Sequence, residues 1–306
     1  MVLTPEQEGS LKNFFNQSNF SEHGAVITDL DGTAVHEREG RTVIHSSVEL
    51  GLKLINDLRR PIVINTLRFP LSVIRTFGAQ WYTLTGSAIP VVLLNGSQIG
   101  YIHQEGEEFR FEQLFSKTLT GTEIGGVMQT VTQLTADGMD NLLVFFYRED
   151  WTQGELIWTP VADRIGAVQE KYQSASTVLS TPVSDLDAIL SKEPVCMVFL
   201  LIEAPEDKLM AYQHSKRSNF ITAEGVNKLS GAHAIADILQ FNLKDSIGAG
   251  DTPMDTFLDG VGLSVHVHHP ELPFKGVYET VRVPHFEGFG EALYQFATWQ
   301  RQTVHS

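Results

Sequence analysis

The chain has 306 residues, 42% of them hydrophobic and 19% charged, a globular composition whose length favours two domains over one. A formal net charge of −15 excludes extended contact with nucleic acid phosphates or an anionic membrane surface, so an anionic substrate would need a local cationic site. The single cysteine, Cys196, permits no intramolecular disulfide and fits a reducing cytoplasm; in the apolar run Val195-Cys196-Met197-Val198-Phe199 it reads as a buried hydrophobe, not a catalytic thiol.

From the N-terminus, Met1 to Ser21 is polar and acidic and reads as a short amphipathic helix, neither a signal peptide nor an anchor. Ala25 to Thr28 is a β-prone run that ends in Asp-Leu-Asp-Gly, a strand followed at once by a turn. Ser46 to Arg60 predicts a helix capped by Ser46 or Ser47, with Val48, Leu52 and Ile55 on one face. Pro61 to Asn65 is a second buried strand, Phe69 to Phe77 the next helix, and Pro90 to Leu94 a third strand closed by Asn95-Gly96. Near-continuous apolar strands alternating with helices predict an α/β fold, a doubly wound parallel sheet that binds ligands beyond the carboxyl ends of its strands.

The middle of the chain changes character. Short strands at Ile99 to Ile102 and Phe109 to Phe111 precede a helix near Glu123 to Leu134 and strands at Asn141 to Tyr147 and Glu155 to Thr159. Helices follow near Val161 to Tyr172 and Ser184 to Leu190, then a strong strand at Val195 to Ile202. Strands adjacent in sequence suggest an antiparallel sheet covered by helices on one face, so residues 97–217 read as an α+β domain inserted into a core of residues 1–96 and 218–306. The α/β pattern then resumes, with helices at Gly231 to Leu239 and Gly288 to Trp299 and strands at Asp245 to Gly248 and Gly262 to Val267.

Four separated segments carry chemistry. Asp29 and Asp31 flank Leu30, and Gly32 permits a sharp turn after them. One such carboxylate can attack a phosphoryl group while a second protonates the leaving oxygen and later deprotonates water. Thr66 and Arg68 stand at the end of the next strand, where a hydroxyl and a guanidinium can hold phosphate oxygens. Lys228 opens the Ser230 to Leu239 helix and can place an ammonium beside the same phosphate. In Gly248-Ala249-Gly250-Asp251-Thr252-Pro253-Met254-Asp255, two aspartates four apart would share one face of a first helical turn and suit Mg²⁺.

Taken in order, Asp-x-Asp-Gly-Thr, an apolar strand ending in Thr, a Lys, and Gly-Asp-x-x-x-Asp resemble the haloacid dehalogenase-like (HAD) hydrolase superfamily. The long span from Thr66 to Lys228 has room for a domain, which is similar to the Cof-type branch with its α/β cap between the second and third motifs. The resemblance implies a Rossmann-like core with an inserted α+β cap that closes over the site. It implies Asp29 as nucleophile, Asp31 as general acid/base, Thr66, Arg68 and Lys228 as phosphate ligands, and magnesium held by Asp29, the Asp31 carbonyl, Asp251 and Asp255. It implies an Mg-dependent phosphatase acting on a small phosphorylated metabolite, a sugar phosphate at family level, through an aspartyl-phosphate. Alternatives are a phosphosugar mutase and a non-catalytic phosphometabolite-binding protein. A cytoplasmic monomer or homodimer is expected, with neither nucleic acid nor membrane as partner. Two positions depart from the family pattern: Met254 where Cof-type enzymes usually have Asn, and Leu67 where Gly is frequent. His266, His268 and His269 form a further cluster, with His266 and His268 expected on one strand face as rim residues or metal ligands.

Overall fold

A computed structural model describes residues 3–39, 41–172, 175–203, 216–268 and 272–304. Along the chain the strands are β1 (Val26–Thr28), β2 (Val35–Arg38), β3 (Arg41–Ile44), β4 (Ile62–Asn65), β5 (Ile89–Leu93), β6 (Gln98–Glu105) and β7 (Glu108–Ser116). There follow β8 (Leu142–Arg148), β9 (Glu155–Trp158), β10 (Ala175–Leu179), β11 (Val195–Glu203) and β12 (Lys216–Thr222), and finally β13 (Ile247–Gly250), β14 (Leu263–Val267) and β15 (Glu279–Val283). The chain divides into two compact units, one of residues 1–68, 73–115 and 226–306, the other of residues 69–72 and 116–225.

The first unit is built on an eight-stranded sheet in the order β15-β14-β13-β1-β4-β5-β6-β7. From β15 to β5 every pairing is parallel. These strands are short and apolar because helices cover both faces, leaving no reason for polar alternation. Ile27, Val63 and Val92 point into one core with Ala232 and Ile235 of the Lys228–Leu239 helix. The Ser46–Asp57 and Phe286–Val304 helices pack closely together, and a Cβ at Gly51 would come within 2.7 Å of the Leu293 Cβ. The Ser46–Asp57 helix buries Val48, Leu52 and Ile55 as their spacing predicts, but its cap is His45, whose ring accepts from the Ser47 N–H.

Two expectations differ from the structure. Strands β6 and β7, assigned by sequence to the inserted domain, extend the first sheet: β6 pairs antiparallel with β5 from Ile89↔Ile102 to Leu93↔Gln98. Asn95-Gly96 closes β5 as expected and reverses the chain into β6, with Leu94, Asn95 and Gly96 all at positive φ (49°, 57° and 99°). The helix expected over Phe69 to Phe77 continues, through a π-helical turn at Ile74–Gly78, to Thr85. The β2–β3 hairpin was not foreseen at all.

The second unit holds a five-stranded sheet in the order β10-β9-β8-β11-β12. It is antiparallel except for the β10–β9 pair, and Leu143, Phe145, Ile157 and Leu201 pack on Val168 of the Ile165–Lys171 helix. Cys196 is buried on β11, and desolvation raises its thiol pKa to about 12. Among the described residues no helix is long and apolar enough to cross a membrane.

Candidate active site

Parallel strands deliver their carboxyl ends to one edge of a sheet, so the residues just after β1, β4 and β13 become neighbours. The Asp29 N–H donates to the Ala249 carbonyl at 3.0 Å, locking the residue after β1 to β13. Asn65 closes β4 and donates through Nδ2 to the Lys228 carbonyl at 2.9 Å, fixing the start of the Lys228–Leu239 helix. That helix is capped by Asn227, whose side chain accepts from the Ser230 N–H while Ser230 Oγ accepts from the Asn227 N–H.

The centre of the arrangement is Lys228. Its Nζ lies 2.8 Å from Asp29 Oδ1 and 2.6 Å from Asp255 Oδ1, and all three residues are buried, with the lysine 1% exposed. Burial alone would neutralise Lys228, yet the two carboxylates hold its pKa above the ordinary lysine value. Asp29 shares that cation with Asp255. Desolvation pushes the Asp29 pKa up to about 8 against the pull of Lys228, and the charges of Asp255 and Asp251 add to the rise.

Asp255 does not lie on a helical turn with Asp251, as its spacing predicted. Residues 251–254 form a non-helical turn, and Asp255 precedes a 3₁₀ segment at Thr256–Asp259. Its Oδ2 accepts from the Asp251 N–H (3.0 Å), the Thr252 N–H (2.9 Å) and Thr252 Oγ1 (3.1 Å), so this carboxylate is the keystone of the loop. Gly250 permits it, since a Cβ there would meet the Asp255 side chain at 2.7 Å.

Asp251 points the other way, toward the first motif. Thr33 Oγ1 donates to its Oδ1 at 2.9 Å, and a Cβ added at Gly32 (φ +79°) would fall on its carboxylate. Burial, with repulsion from Asp255, raises the Asp251 pKa to about 6. One carboxylate oxygen each from Asp29, Asp251 and Asp255 lie within 4.8 Å of one another. The donor set fits a hard divalent ion: all oxygen, mostly buried, and short of positive charge, because among the described residues four aspartates (29, 31, 251, 255) pair with only Lys228 and Arg68. Of the three oxygens, those of Asp29 and Asp251 are the better ligands, because both oxygens of Asp255 already accept hydrogen bonds.

Asp31 and Arg68 pair with each other. Arg68 Nε and Nη2 donate to Asp31 Oδ2 and Oδ1, both at 2.7 Å, a bidentate fork at a half-exposed position. The guanidinium also lies 5.0 Å from the Phe77 ring centroid. Thr66 is buried at the end of β4, and its hydroxyl accepts from the Arg68 N–H at 3.2 Å. The structure thus brings Asp29, Lys228, Asp251 and Asp255 into one cluster, with Asp31, Thr66 and Arg68 on the same strand-end edge. Sequence reading quoted Thr33 and Asn65 inside their motifs without a role; a hydroxyl or amide next to a strand-end carboxylate was the available signal.

Neither His266 nor His268 is a member of the carboxylate cluster. His266 is buried on β14 with Nε2 3.0 Å from Ser264 Oγ. His268 lies past the end of that strand at φ 60°, so the two do not share a strand face; its Nδ1 is 2.9 Å from the Pro284 carbonyl and its ring packs on Phe286. His269 lies outside the described residues.

The chain belongs to the haloacid dehalogenase-like hydrolase family, whose model matches residues 26–270. Its fold is shared with the HAD subclass IIB sugar phosphatase BT4131 (TM-score 0.63, 17% identity, covering 89% of this chain and 98% of that one). It is shared with the phosphatase BT1666 from Bacteroides thetaiotaomicron (0.62, 15%, 91% and 96%) and with a haloacid dehalogenase-like hydrolase from B. subtilis (0.61, 14%, 88% and 98%). Comparison with curated proteins finds no match. The second unit falls between Thr66 and Lys228 in sequence, the Cof-type arrangement.

Proposed function

We propose that the enzyme is a magnesium-dependent phosphatase of a small phosphorylated metabolite, a sugar phosphate by class, working through a phosphoryl group carried on Asp29. The observation that carries this reading is the buried Asp29–Lys228–Asp255 triad beside Asp251, a nucleophile and a cation fixed 2.8 Å apart in a site short of positive charge. Asp29 and Asp251 would hold the magnesium ion, with the Asp31 carbonyl, and Asp255 would support them from the loop. When bound, the ion offsets the negative charge shared by nucleophile and substrate.

In this reading an Asp29 carboxylate oxygen bonds to phosphorus as the ester oxygen departs with a proton from Asp31. Asp31, now a carboxylate, takes a proton from water, whose oxygen attacks the phosphorus and releases inorganic phosphate while freeing Asp29. Lys228 and Thr66 hold the equatorial oxygens, and the chemistry is mainly positioning and charge stabilisation. Arg68 exchanges its grip on Asp31 for the incoming phosphate, so that Asp31 becomes available when substrate arrives. The cytoplasm suits a chain whose one cysteine is buried, and a monomer or homodimer serves the reaction equally.

The test is phosphate release from a panel of phosphorylated sugars with Mg²⁺, run on wild type and Asp29→Asn. Release that depends on magnesium and disappears in the variant supports the reading; release by Asp29→Asn at the wild-type rate removes Asp29 from its role.

A further inference from the structure

The Ser46–Asp57 helix ends at a sharp turn that leads through Arg59, Arg60 and Pro61 into β4. With Asn56, Ser87 and Pro90 these residues wall a cavity of about 340 Å³, within the size range of small-molecule sites. It sits at the amino ends of β4 and β5. Asp29 follows the carboxyl end of β1, which runs parallel to β4, so the length of the strands separates cavity and active site.

Two arginines are among the residues that line this cavity on a protein that carries a strong excess of carboxylates. Like several other arginines, neither Arg59 nor Arg60 has a carboxylate within ion-pairing distance among the described residues. Arg60 is half-buried; its Nε donates to the Arg59 carbonyl and its Nη1 to the Ser21 carbonyl, both at 3.2 Å, leaving further N–H groups of the fork. Desolvation lowers the Arg60 pKa, with no carboxylate to offset it.

Arg59 adds a separate observation. It ends the helix at φ 59°, in the left-handed region where glycine is the easiest residue, and its N–H donates to the Asn56 carbonyl at 2.8 Å. A cation near a helix carboxyl end complements the dipole. That accounts for a charge near the last carbonyls, but not for two adjacent arginines among the residues of one concave wall.

We infer that this cleft is a second ligand site, which binds a small organic anion through its phosphate or carboxylate group, held in the fork of Arg60 with Arg59 and the Ser87 hydroxyl. Arginine forks match both groups bidentately, and Pro61 and Pro90 offer apolar walls to the rest of the molecule.

The test uses the full chain in EDTA and two probes, inorganic phosphate and citrate, titrated by calorimetry into wild type, Arg59→Gly and Arg60→Gln. Glycine suits the left-handed position, so Arg59→Gly should keep the fold, which its melting curve checks. The expected result is saturable binding of at least one probe to wild type, weakened by about tenfold or more in each variant. Phosphate bound in preference to citrate identifies a phosphate ester as the ligand class, and the reverse a polycarboxylate. Absence of binding to wild type, or equal affinity in wild type and both variants, overturns the inference. Either result leaves phosphate release by Asp29 as a separate question.

Discussion

Arg68 grips Asp31 with two parallel hydrogen bonds of 2.7 Å, pairing the residue proposed to hold phosphate with the residue proposed to move the proton. The pair joins the loop after β1 to the loop after β4, and the Arg68 N–H bond to Thr66 Oγ1 ties in the second motif. Without substrate, the guanidinium has a carboxylate to satisfy it; with a phosphate present, a better-charged partner competes.

If that exchange operates, Arg68→Lys, which keeps the charge but not the fork, should lower kcat/KM for phosphate release by about 10- to 100-fold. Stability should change by less than about 1 kcal/mol, because the Asp31 side chain is half-exposed. Steady-state kinetics alongside urea unfolding separate the two effects; a large loss of stability with unchanged kinetics would assign the pair a purely structural role.

Gly32→Ala should damage the site more than its size suggests. The added Cβ falls on the Asp251 carboxylate at a backbone φ of +79°. Left-handed strain costs an alanine about 1–2 kcal/mol, and Asp251 must also shift. The expected outcome is a lower urea midpoint and the loss of stabilisation by Mg²⁺, both read from unfolding curves with and without the ion.

The crowded carboxylates predict a pH dependence for the metal-free protein. Asp29 (about 8) and Asp251 (about 6) lie above the ordinary aspartate value of 3.8, so between these limits the folded state binds more protons than the unfolded one. Stability contributed by the two groups therefore falls as pH rises from about 4 toward 8 in EDTA. Magnesium competes with those protons, so its stabilising effect should grow over the same range. Melting temperatures at pH 5 and 8, with EDTA and with Mg²⁺, check both signs.

Asp255→Ala removes one of the two carboxylate partners of Lys228 and the acceptor for three bonds of the Gly250–Thr252 loop. Breaking a buried pair typically costs about 3–5 kcal/mol, so a large drop in unfolding free energy is expected together with loss of activity. Cys196, by contrast, should resist a thiol reagent in the native protein at pH 8, and Cys196→Ala should leave turnover unchanged.

Much of the first unit was legible because its strands announce themselves locally. Ile27, Val63 and Val92 belong to apolar runs with polar turns after them, and the catalytic candidates follow those runs directly. What sequence could not give was pairing. Nothing local to β6 says that it joins β5 rather than a strand of the inserted unit; the left-handed reversal at Leu94–Gly96 decides that. The choice of Arg68 between Asp31 and a phosphate is likewise a contact across 37 positions, and Asp255 reads as helical from its spacing until its bonds to the Thr252 segment are seen. The β2–β3 hairpin escaped because its four-residue strands mix charged and apolar residues without a clear period.

Asp29 is the residue proposed to carry the phosphoryl group. The most direct test of that role is acid-quenched mass spectrometry of Asp31→Asn turning over p-nitrophenyl phosphate with Mg²⁺. That leaving group needs no proton, so the phospho-enzyme should form and then persist for want of a base. The predicted result is one added phosphoryl group on the peptide containing Asp29; a phosphoryl group on another residue, or steady wild-type turnover accompanied by an active Asp29→Asn, would contradict it.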